Sequence, residues 1–257
     1  MIKLDEKCLW FDAPRSDLKN SADRIARYFD TVSISLNAGT GNVAIPTWNK
    51  KDIEFLTKYL NDKGVTTRWM IYPKANSIDE TLKALVPLYS FMGEDAPVPD
   101  LDLEENAHGF NKRLADKLIS GLVDFSPNIA INLVPNGKGV IKEFAKVFVD
   151  NDAVMLTYIQ SYLQYQRSKT WTHDVVFRPN GRYLDVCADV AERIERPGMV
   201  VGMGMIMANQ NHPDPHQKGD VARKFVYERL KKEGRPIGFW SRASLPSDKS
   251  LDFIFNP

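Results

Sequence analysis

Hydrophobic and polar positions follow two different periods along this chain, and segments with one period alternate with segments with the other. Short runs alternate apolar and polar residues, as in Thr31–Ala38, where every second side chain is apolar. This two-residue period is typical of a β-strand. Longer runs repeat apolar residues every three or four positions, as in Asn49–Lys63, which is followed by Gly64. That period, ended by a glycine, predicts an amphipathic helix.

Continued along the chain, the same patterns predict eight strands with helices between successive strands. The predicted strands are Cys8–Ala13, Thr31–Ala38, Thr66–Tyr72, Pro99–Glu104, Asn128–Val134, Ala153–Gln160, Met199–Ala208 and Ile237–Arg242. The predicted helices are Arg15–Asp30, Asn49–Lys63, a helix capped by Ser77, Gly109–Asp124, Val140–Asp150, Tyr183–Ile194 and Asp220–Glu233. At the third helix, Glu80 follows Ser77 at the spacing of a capping box.

This alternation decides the predicted fold class. Eight strand–helix units in 257 residues agree with a (β/α)8 barrel, or TIM barrel, which takes roughly 250 residues. A doubly wound open sheet also alternates strands and helices, but it has about six strands and a glycine fingerprint that this chain lacks. We therefore predict one α/β domain, a (β/α)8 barrel that spans residues 1–257.

Composition and charge narrow the partners and the compartment. The chain has 34 Lys and Arg against 33 Asp and Glu, so it lacks the basic excess of a nucleic-acid-binding protein. Its two cysteines, Cys8 and Cys187, cannot build a disulfide framework and lack metal-ligand spacing. The first residues contain no apolar signal segment, and no run reaches the roughly 18 apolar residues of a membrane span. We expect a monomer without a cofactor, cytoplasmic as synthesised.

The most informative segment is the acidic strand Asp100-Leu101-Asp102-Leu103-Glu104. Alternate side chains of a strand face the same way, so the three carboxylates share one face and the leucines share the other. In a barrel the outward face packs on helices and is apolar. The carboxylates are therefore predicted to point inwards, with Glu104 nearest the carboxyl-end mouth, where the active sites of this fold lie.

Three inward carboxylates at this spacing suit the cleavage of a glycosidic bond. Like charges so close together cannot all ionise, and at least one pKa should be raised. A glycosidase needs a protonated carboxylic acid that donates to the leaving oxygen and a second group that stabilises the developing cation. We predict Glu104 as the general acid, Asp102 as its partner and Asp100 as a deeper support. A solvated edge strand or a metal-binding loop would be alternative interpretations of the same residues.

The acidic strand resembles the D-x-D-x-E end of the strand-four motif of the chitinase family, the family 18 glycoside hydrolases. That resemblance implies that Glu104 is the acid and that Asp102 orients the N-acetyl group of the substrate, which acts as an internal nucleophile. The upstream aspartate and glycine of the family motif are replaced by Ala96-Pro97-Val98-Pro99. Met155-Leu156-Thr157-Tyr158 resembles the strand-six motif, and it implies that Tyr158 holds the N-acetyl group.

Two further positions follow from the same resemblance. Gln160 lies two residues beyond Tyr158 and therefore faces the same side of its strand. Gly238-Phe239-Trp240 on the eighth strand resembles the family segment whose tryptophan forms the floor of the sugar site, which implies that role for Trp240.

A second family resembles the chain at other positions. The family 25 muramidases of phages and fungi are barrels with a D-x-E pair on strand four and an aspartate at the end of strand one. Asp102-Leu103-Glu104 resembles the pair, and Asp12 resembles the strand-one aspartate. Both families cleave β-1,4 bonds beside N-acetylated sugars. The resemblance implies a wall hydrolase similar to a phage endolysin, which would reach the cell wall after release from the cytoplasm.

Aromatic residues in the predicted mouth loops could stack on sugar rings. They are Trp48, Tyr72, Tyr162, Tyr165 and Trp171. The loop after strand seven also contains His212, Asp214 and His216 at a spacing that would allow metal ligation, but no third cluster supports a metal, and we predict none. The sequence therefore favours a glycoside hydrolase that acts on peptidoglycan or chitin. A glycan-binding barrel without catalysis and a metal-dependent barrel hydrolase are the alternatives.

Overall fold

A computed structural model describes nine segments of the chain, within which all structural statements below are made. The described residues are 6–11, 18–36, 50–93, 96–104, 107–136, 138–160, 182–208, 216–241 and 245–256.

Strands and helices alternate through these segments. The strands are β1 (Lys7–Phe11), β2 (Thr31–Ser35), β3 (Thr66–Ile71), β4 (Val98–Leu103), β5 (Ile129–Leu133), β6 (Val154–Gln160), β7 (Val200–Ala208) and β8 (Ile237–Ser241). The helices are α1 (Leu18–Tyr28), α2 (Lys50–Asp62), α3 (Ile78–Met92), α4 (Lys112–Val123), α5 (Glu143–Val149), α6 (Arg182–Ile194), α7 (His216–Lys232) and α8 (Asp248–Phe255).

The eight strands close into a barrel in the order of the sequence. Every neighbouring pair is parallel, and β8 closes the barrel by pairing with β1. The predicted (β/α)8 barrel is therefore confirmed. Because all strands run the same way, their carboxyl ends meet at one mouth and their amino ends at the other.

Two hydrophobic clusters hold this architecture. The larger one lies between the outward faces of the strands and the helices, where Leu101 and Leu103 of β4 are buried. The smaller one fills the inside of the barrel and consists of Cys8, Trp10, Met70, Ala130, Leu156 and Tyr158. The acidic strand thus turns its leucines outwards and its aspartates inwards, as its alternation predicted.

Two aromatic rings occupy the middle of the barrel, and glycines on the facing strands make room for them. Trp10 and Tyr158 meet edge to face with their ring centroids 5.1 Å apart. A Cβ atom at Gly238 would lie 2.1 Å from the Trp10 ring, and one at Gly204 would lie 2.4 Å from it. A Cβ atom at Gly202 would lie 2.6 Å from the Tyr158 ring. These separations are far inside van der Waals contact, so the interior of the barrel requires glycine at these positions.

Two local predictions differ from the structure. Ser77 stands at the N-cap of α3, but its side chain makes no capping hydrogen bond, so the predicted capping box with Glu80 does not form. No helix was predicted after the last strand, whereas in the structure α8 follows β8. This helix begins after Ser247, whose hydroxyl accepts from the backbone N–H of Ser250 at 3.2 Å, and it packs Phe255 against the core.

Candidate active site

The carboxyl half of β4 places two carboxyl groups inside the barrel. Asp100 is fully buried and Asp102 is 4% exposed. Both receive hydrogen bonds from strands other than β4, across the interior of the barrel. Two aspartates of one strand therefore converge on the axis of the barrel, where an isolated charge would be strongly disfavoured.

Asp100 is held by two neutral donors. The hydroxyl of Ser33 on β2 donates to Asp100 Oδ2 at 2.6 Å, and the Nδ2 amide of Asn132 on β5 donates to Oδ1 at 2.6 Å. Burial raises the pKa of Asp100, whereas the Arg68 guanidinium below it and these hydrogen bonds lower the pKa, and the net direction is upwards. The aspartate is thus fixed in position at both oxygens.

Asp102 lies nearer the mouth than Asp100, and its surroundings disfavour the ionised form of its carboxyl group. Gln160 at the end of β6 donates from Nε2 to Asp102 Oδ1 at 2.9 Å. Burial raises the pKa of Asp102 most, and the nearby carboxyl groups of Glu104 and Asp100 raise it further. Hydrogen bonds from Tyr72 and Gln160 act in the opposite direction without cancelling the increase. This carboxyl group therefore retains a proton at a pH where an exposed aspartate is ionised.

Glu104 follows the last residue of β4 and stands at the carboxyl-end mouth. It is half-buried, in contrast to the two aspartates beneath it. Its carboxyl group is close enough to Asp102 to raise the pKa of that aspartate. A ligand at the mouth would therefore meet Glu104 first, with a proton-holding partner behind it.

Two of the predicted aromatic residues lie at the same mouth. Trp240 at the end of β8 and Tyr72 just after β3 are half-buried and pack against the cluster inside the barrel. Trp240 is in register with Trp10, so its side chain points to the same side of the sheet. Gln160, Tyr72 and Trp240 thus join the acidic residues in one region.

The hydroxyl group of Tyr158 points away from this mouth. It donates to Glu6 Oε1 at 2.8 Å, and Glu6 precedes β1 at the amino-terminal end of the barrel. Tyr158 is fully buried, and burial raises its pKa well above the usual value. The role implied for Tyr158 by the family 18 resemblance, a contact to the substrate, has no support in this geometry.

Other predicted residues lie outside the described segments. They are Asp12, Trp48, Tyr162, Tyr165, Trp171, His212 and Asp214. His216 is the first residue of α7, and its side chain is not described. Within the described segments, no group of three His, Cys, Asp or Glu side chains could hold a metal ion. No helix of that part of the chain is long and apolar enough to cross a bilayer.

Sequence reasoning missed the residues that position the aspartates. The sequence patterns assigned no role to Ser33 or to Asn132. Asn132 is the one polar residue in Ile129–Leu133, a strand that is buried throughout. A buried amide in an apolar strand needs hydrogen-bond partners, and this was the available signal. Within the described residues, Asn132 Oδ1 and Gln160 Oε1 remain without a partner.

Comparisons with known proteins agree on the fold. No family model and no curated protein match the sequence. Subunit Z of the clostridial cellulose synthase from Clostridioides difficile is 15% identical, with 98% of this chain and 99% of that chain covered at a TM-score of 0.66. A broad-specificity endoglucanase from Clostridium acetobutylicum is 14% identical, with 95% and 90% covered at 0.58.

A third solved structure is a putative chitinase A from Streptomyces coelicolor, which is 13% identical, with 93% of this chain and 92% of that chain covered at a TM-score of 0.58. At such low identity these similarities show the barrel fold alone. The chemistry of this chain has to be argued from its own residues.

Proposed function

We propose that this protein is a glycoside hydrolase that cleaves β-1,4 bonds in an N-acetylhexosamine polymer, with Glu104 as the general acid. The observation that carries the proposal is the series of carboxyl groups on β4, which runs from buried Asp100 through Asp102 to half-buried Glu104 at the mouth. The similarity to barrels described as an endoglucanase and a putative chitinase supports polysaccharide hydrolysis as the general class.

The geometry supports a division of labour between the two outer carboxyl groups. Departure of the sugar oxygen needs a proton, and the group that supplies it must reach the substrate, which Glu104 can do from the mouth. Asp102 is held by Gln160 at 2.9 Å and has a raised pKa. Before the reaction the two groups share a proton, because two adjacent carboxylates do not readily ionise together. Glu104 gives a proton to the leaving oxygen, and it regains one from the water that attacks in the second step.

The placement of the carboxyl groups also bears on the nucleophile. A retaining glycosidase with an enzymatic nucleophile needs two carboxyl groups on opposite sides of the scissile bond, about 5 Å apart. Asp102 and Glu104 lie two positions apart at the end of one strand, on one side of the barrel. This one-sided arrangement favours a nucleophile supplied by the substrate. The carbonyl oxygen of an N-acetyl group is suitable, and Asp102 would orient it.

The resemblance to family 25 at Asp12 and at Asp102-Leu103-Glu104 favours peptidoglycan over chitin as the polymer. An aromatic floor at Trp240, which is half-buried at the mouth, would stack on the apolar face of a sugar ring. Tyr72 would help to hold the same sugar. Trp48 and Trp171, which lie outside the described residues, are further candidates for stacking on sugar rings.

The test is a comparison of Glu104→Gln with the wild-type protein on purified peptidoglycan and on chitin oligomers. We expect the rate to fall by about 10²- to 10⁴-fold on the true substrate, because amide nitrogen cannot supply the proton. Glu80→Gln changes an exposed glutamate of α3 in the same way and serves as the matched control. Mass spectrometry of the new reducing ends identifies the bond that is cleaved.

Two outcomes would contradict the proposal. Full activity of Glu104→Gln would remove Glu104 from the mechanism. Saturable binding of glycan without turnover by the wild-type protein at every pH from about 4, near the ordinary pKa of a carboxyl group, to about 8 would make the barrel a glycan-binding protein instead.

A further inference from the structure

The opposite end of the barrel contains a cavity that the proposed hydrolase does not use. Its volume is about 460 Å³, within the range of roughly 300–1,000 Å³ that is usual for small-molecule sites. The lining residues include Thr31, Thr66, Val98 and Val200, each the first residue of its strand. The cavity therefore opens at the amino-terminal end, and the Trp10 and Tyr158 rings in the middle of the barrel separate it from Glu104.

The walls of this cavity are mostly apolar. Ile129, Ala130, Leu156 and Met199 line it and are at most 3% exposed as residues. A ligand with a compact hydrocarbon body would displace water from these walls, which is favourable in proportion to the apolar area that is covered.

A buried ion pair forms the polar part of the cavity. Arg68 donates from Nη2 to Glu6 Oε1 at 2.7 Å, and both residues are 4% exposed. Tyr158 donates to the same oxygen at 2.8 Å. Both hydrogen bonds end on Oε1, so the second carboxylate oxygen of Glu6, a residue that lines the cavity, carries neither of them.

The charges around the cavity favour a cation. Its lining contains two carboxylates, Glu6 and Asp30, and one guanidinium, Arg68, which leaves a net charge of one negative. Asp30 is half-buried and accepts the backbone N–H of Lys7 through Oδ2 at 3.0 Å. The Lys7 ammonium lies 5.3 Å from the centre of the Phe255 ring, on the helix side of β1, and does not line the cavity.

We propose that this cavity is a second binding site, and that its ligand is a small organic amine with a compact apolar body and one protonated nitrogen. The body lies against the aliphatic walls. The nitrogen donates to Glu6 Oε2 and is attracted by Asp30. This site is independent of the glycan chemistry at the mouth.

The test uses three probes with the same ring and different charges: benzylamine, benzyl alcohol and benzoate. Methionine methyl groups labelled with ¹³C give a local readout, because Met155 and Met199 line the cavity, whereas Met92 lies on α3. We expect benzylamine to shift the Met155 and Met199 signals and to leave Met92 unchanged. Benzyl alcohol should bind about tenfold more weakly, which corresponds to about 1.4 kcal/mol, and benzoate should not bind.

Two variants separate charge from shape, and a third serves as the control. Asp30→Asn keeps an oxygen acceptor for the Lys7 N–H and removes the charge, and we expect it to weaken benzylamine about fivefold, as for a partly exposed ion pair. Asp79→Asn removes an exposed carboxylate on α3 and should change nothing. Val200→Phe fills the cavity and should abolish binding of both benzylamine and benzyl alcohol.

The proposal is overturned if benzylamine does not shift Met155 or Met199, if benzoate binds as well as benzylamine, or if Asp30→Asn binds benzylamine as tightly as the wild-type protein. Asp30→Asn preserves the backbone hydrogen bond, so it tests the charge even if Val200→Phe does not fold. No glycan is used, and failure here would leave the proposed hydrolase untouched.

Discussion

Both ends of the barrel bury carboxyl groups, and they surround them in opposite ways. At the amino-terminal end, Glu6 is paired with the Arg68 guanidinium at 2.7 Å. At the carboxyl-terminal end, the contacts to Asp100 come from a hydroxyl group and an amide, both neutral, at 2.6 Å. A buried carboxylate is stable when it is paired and hydrogen-bonded. Glu6 is both paired with a cation and hydrogen-bonded, whereas Asp100 is hydrogen-bonded but has no direct ion pair among the described residues.

The difference bears on the function proposed for each end. Neutral donors fix a carboxyl group in space but leave its pKa raised, as for Asp100 and Asp102. A carboxyl group whose pKa is raised keeps its proton over a wider pH range, which is useful for general acid catalysis. A direct ion pair instead compensates the charge of a buried carboxylate, as the Arg68 guanidinium does for Glu6. The carboxyl groups at the mouth thus suit the proposed proton transfer, and the ion pair at the opposite end suits the proposed binding site.

The largest effect should come from breaking the ion pair at the amino-terminal end. Arg68→Met leaves Glu6 buried without its cation, and we expect the free energy of unfolding to fall by about 3–5 kcal/mol. Urea titration followed by circular dichroism measures this change. In the control, Glu6→Gln is added to Arg68→Met and removes the charge left unpaired. Recovery of most of the loss is expected, and no recovery would contradict the ion-pair account.

A smaller loss should follow from a change in the middle, where the two ends are separated. Gly238→Ala places a Cβ atom 2.1 Å from the Trp10 ring, and such overpacking costs about 1–3 kcal/mol. Thermal unfolding measures the loss. Gly64→Ala is not a suitable control, because Gly64 has a φ of +80°. Exposed Ser90→Ala on α3 is suitable. An unchanged melting temperature for Gly238→Ala would show that the interior can accommodate the methyl group.

At the mouth, the comparison predicts a dependence of stability on pH. The pKa of Asp102 is raised mainly by burial and further by the carboxyl groups of Glu104 and Asp100. It therefore lies above the pKa of an aspartate in the unfolded chain, which is about 3.9. Between these two pKa values the folded protein binds the extra proton, so the free energy of unfolding falls as the pH rises through this window. Asp102→Asn removes this titrating group and should flatten the fall. The expected change is about 1.4 kcal/mol for each tenfold difference in proton affinity between the folded and unfolded states.

Urea titrations at several pH values test this prediction. Asp79→Asn, which changes an exposed carboxylate on α3, is the control. Equal pH profiles for Asp102→Asn and the wild-type protein would mean that Asp102 is ionised in the folded state like any exposed aspartate. Activity of Asp102→Asn should fall as well, because its amide cannot share a proton with Glu104.

The smallest effect should come from removing one neutral donor. Ser33→Ala deletes the hydroxyl group that donates to Asp100 Oδ2 at 2.6 Å, and we expect a loss of about 1 kcal/mol in the free energy of unfolding. Asp100 keeps its bond from Asn132, so the fold should persist. A loss as large as that of Arg68→Met would contradict the distinction between neutral and ionic partners.

Sequence patterns predicted the barrel because the barrel depends on periodicity. Eight two-residue periods separated by helical periods leave few parallel arrangements open, and the right-handed crossover selects among them. The short helix α8 escaped prediction because eight residues hold only a few apolar positions, such as Leu251 and Ile254. Its serine cap at Ser247 was the remaining signal.

The inward orientation of the site residues was predictable because it also depends on the periodicity of a strand. Alternation in Asp100-Leu101-Asp102-Leu103-Glu104 decides which residues face inwards, because strand geometry leaves only two faces. Alternation does not decide which partner each inward residue meets. Tyr158 shares the inward side of β6 with Gln160, yet its hydroxyl bonds to Glu6 at one end while Gln160 bonds to Asp102 at the other.

By itself, the sequence determined the order of the strands, the inward orientation of the carboxyl groups and the position of Glu104 nearest the mouth. Each of these follows from the local periodicity of a few residues. Only the tertiary structure decided that Ser33 and Asn132 hold Asp100, that Glu6 pairs with Arg68 62 positions away in the chain, and that a cavity remains at the amino-terminal end. Those contacts join strands that are distant in sequence, and they depend on barrel closure and side-chain volume, which local patterns do not encode.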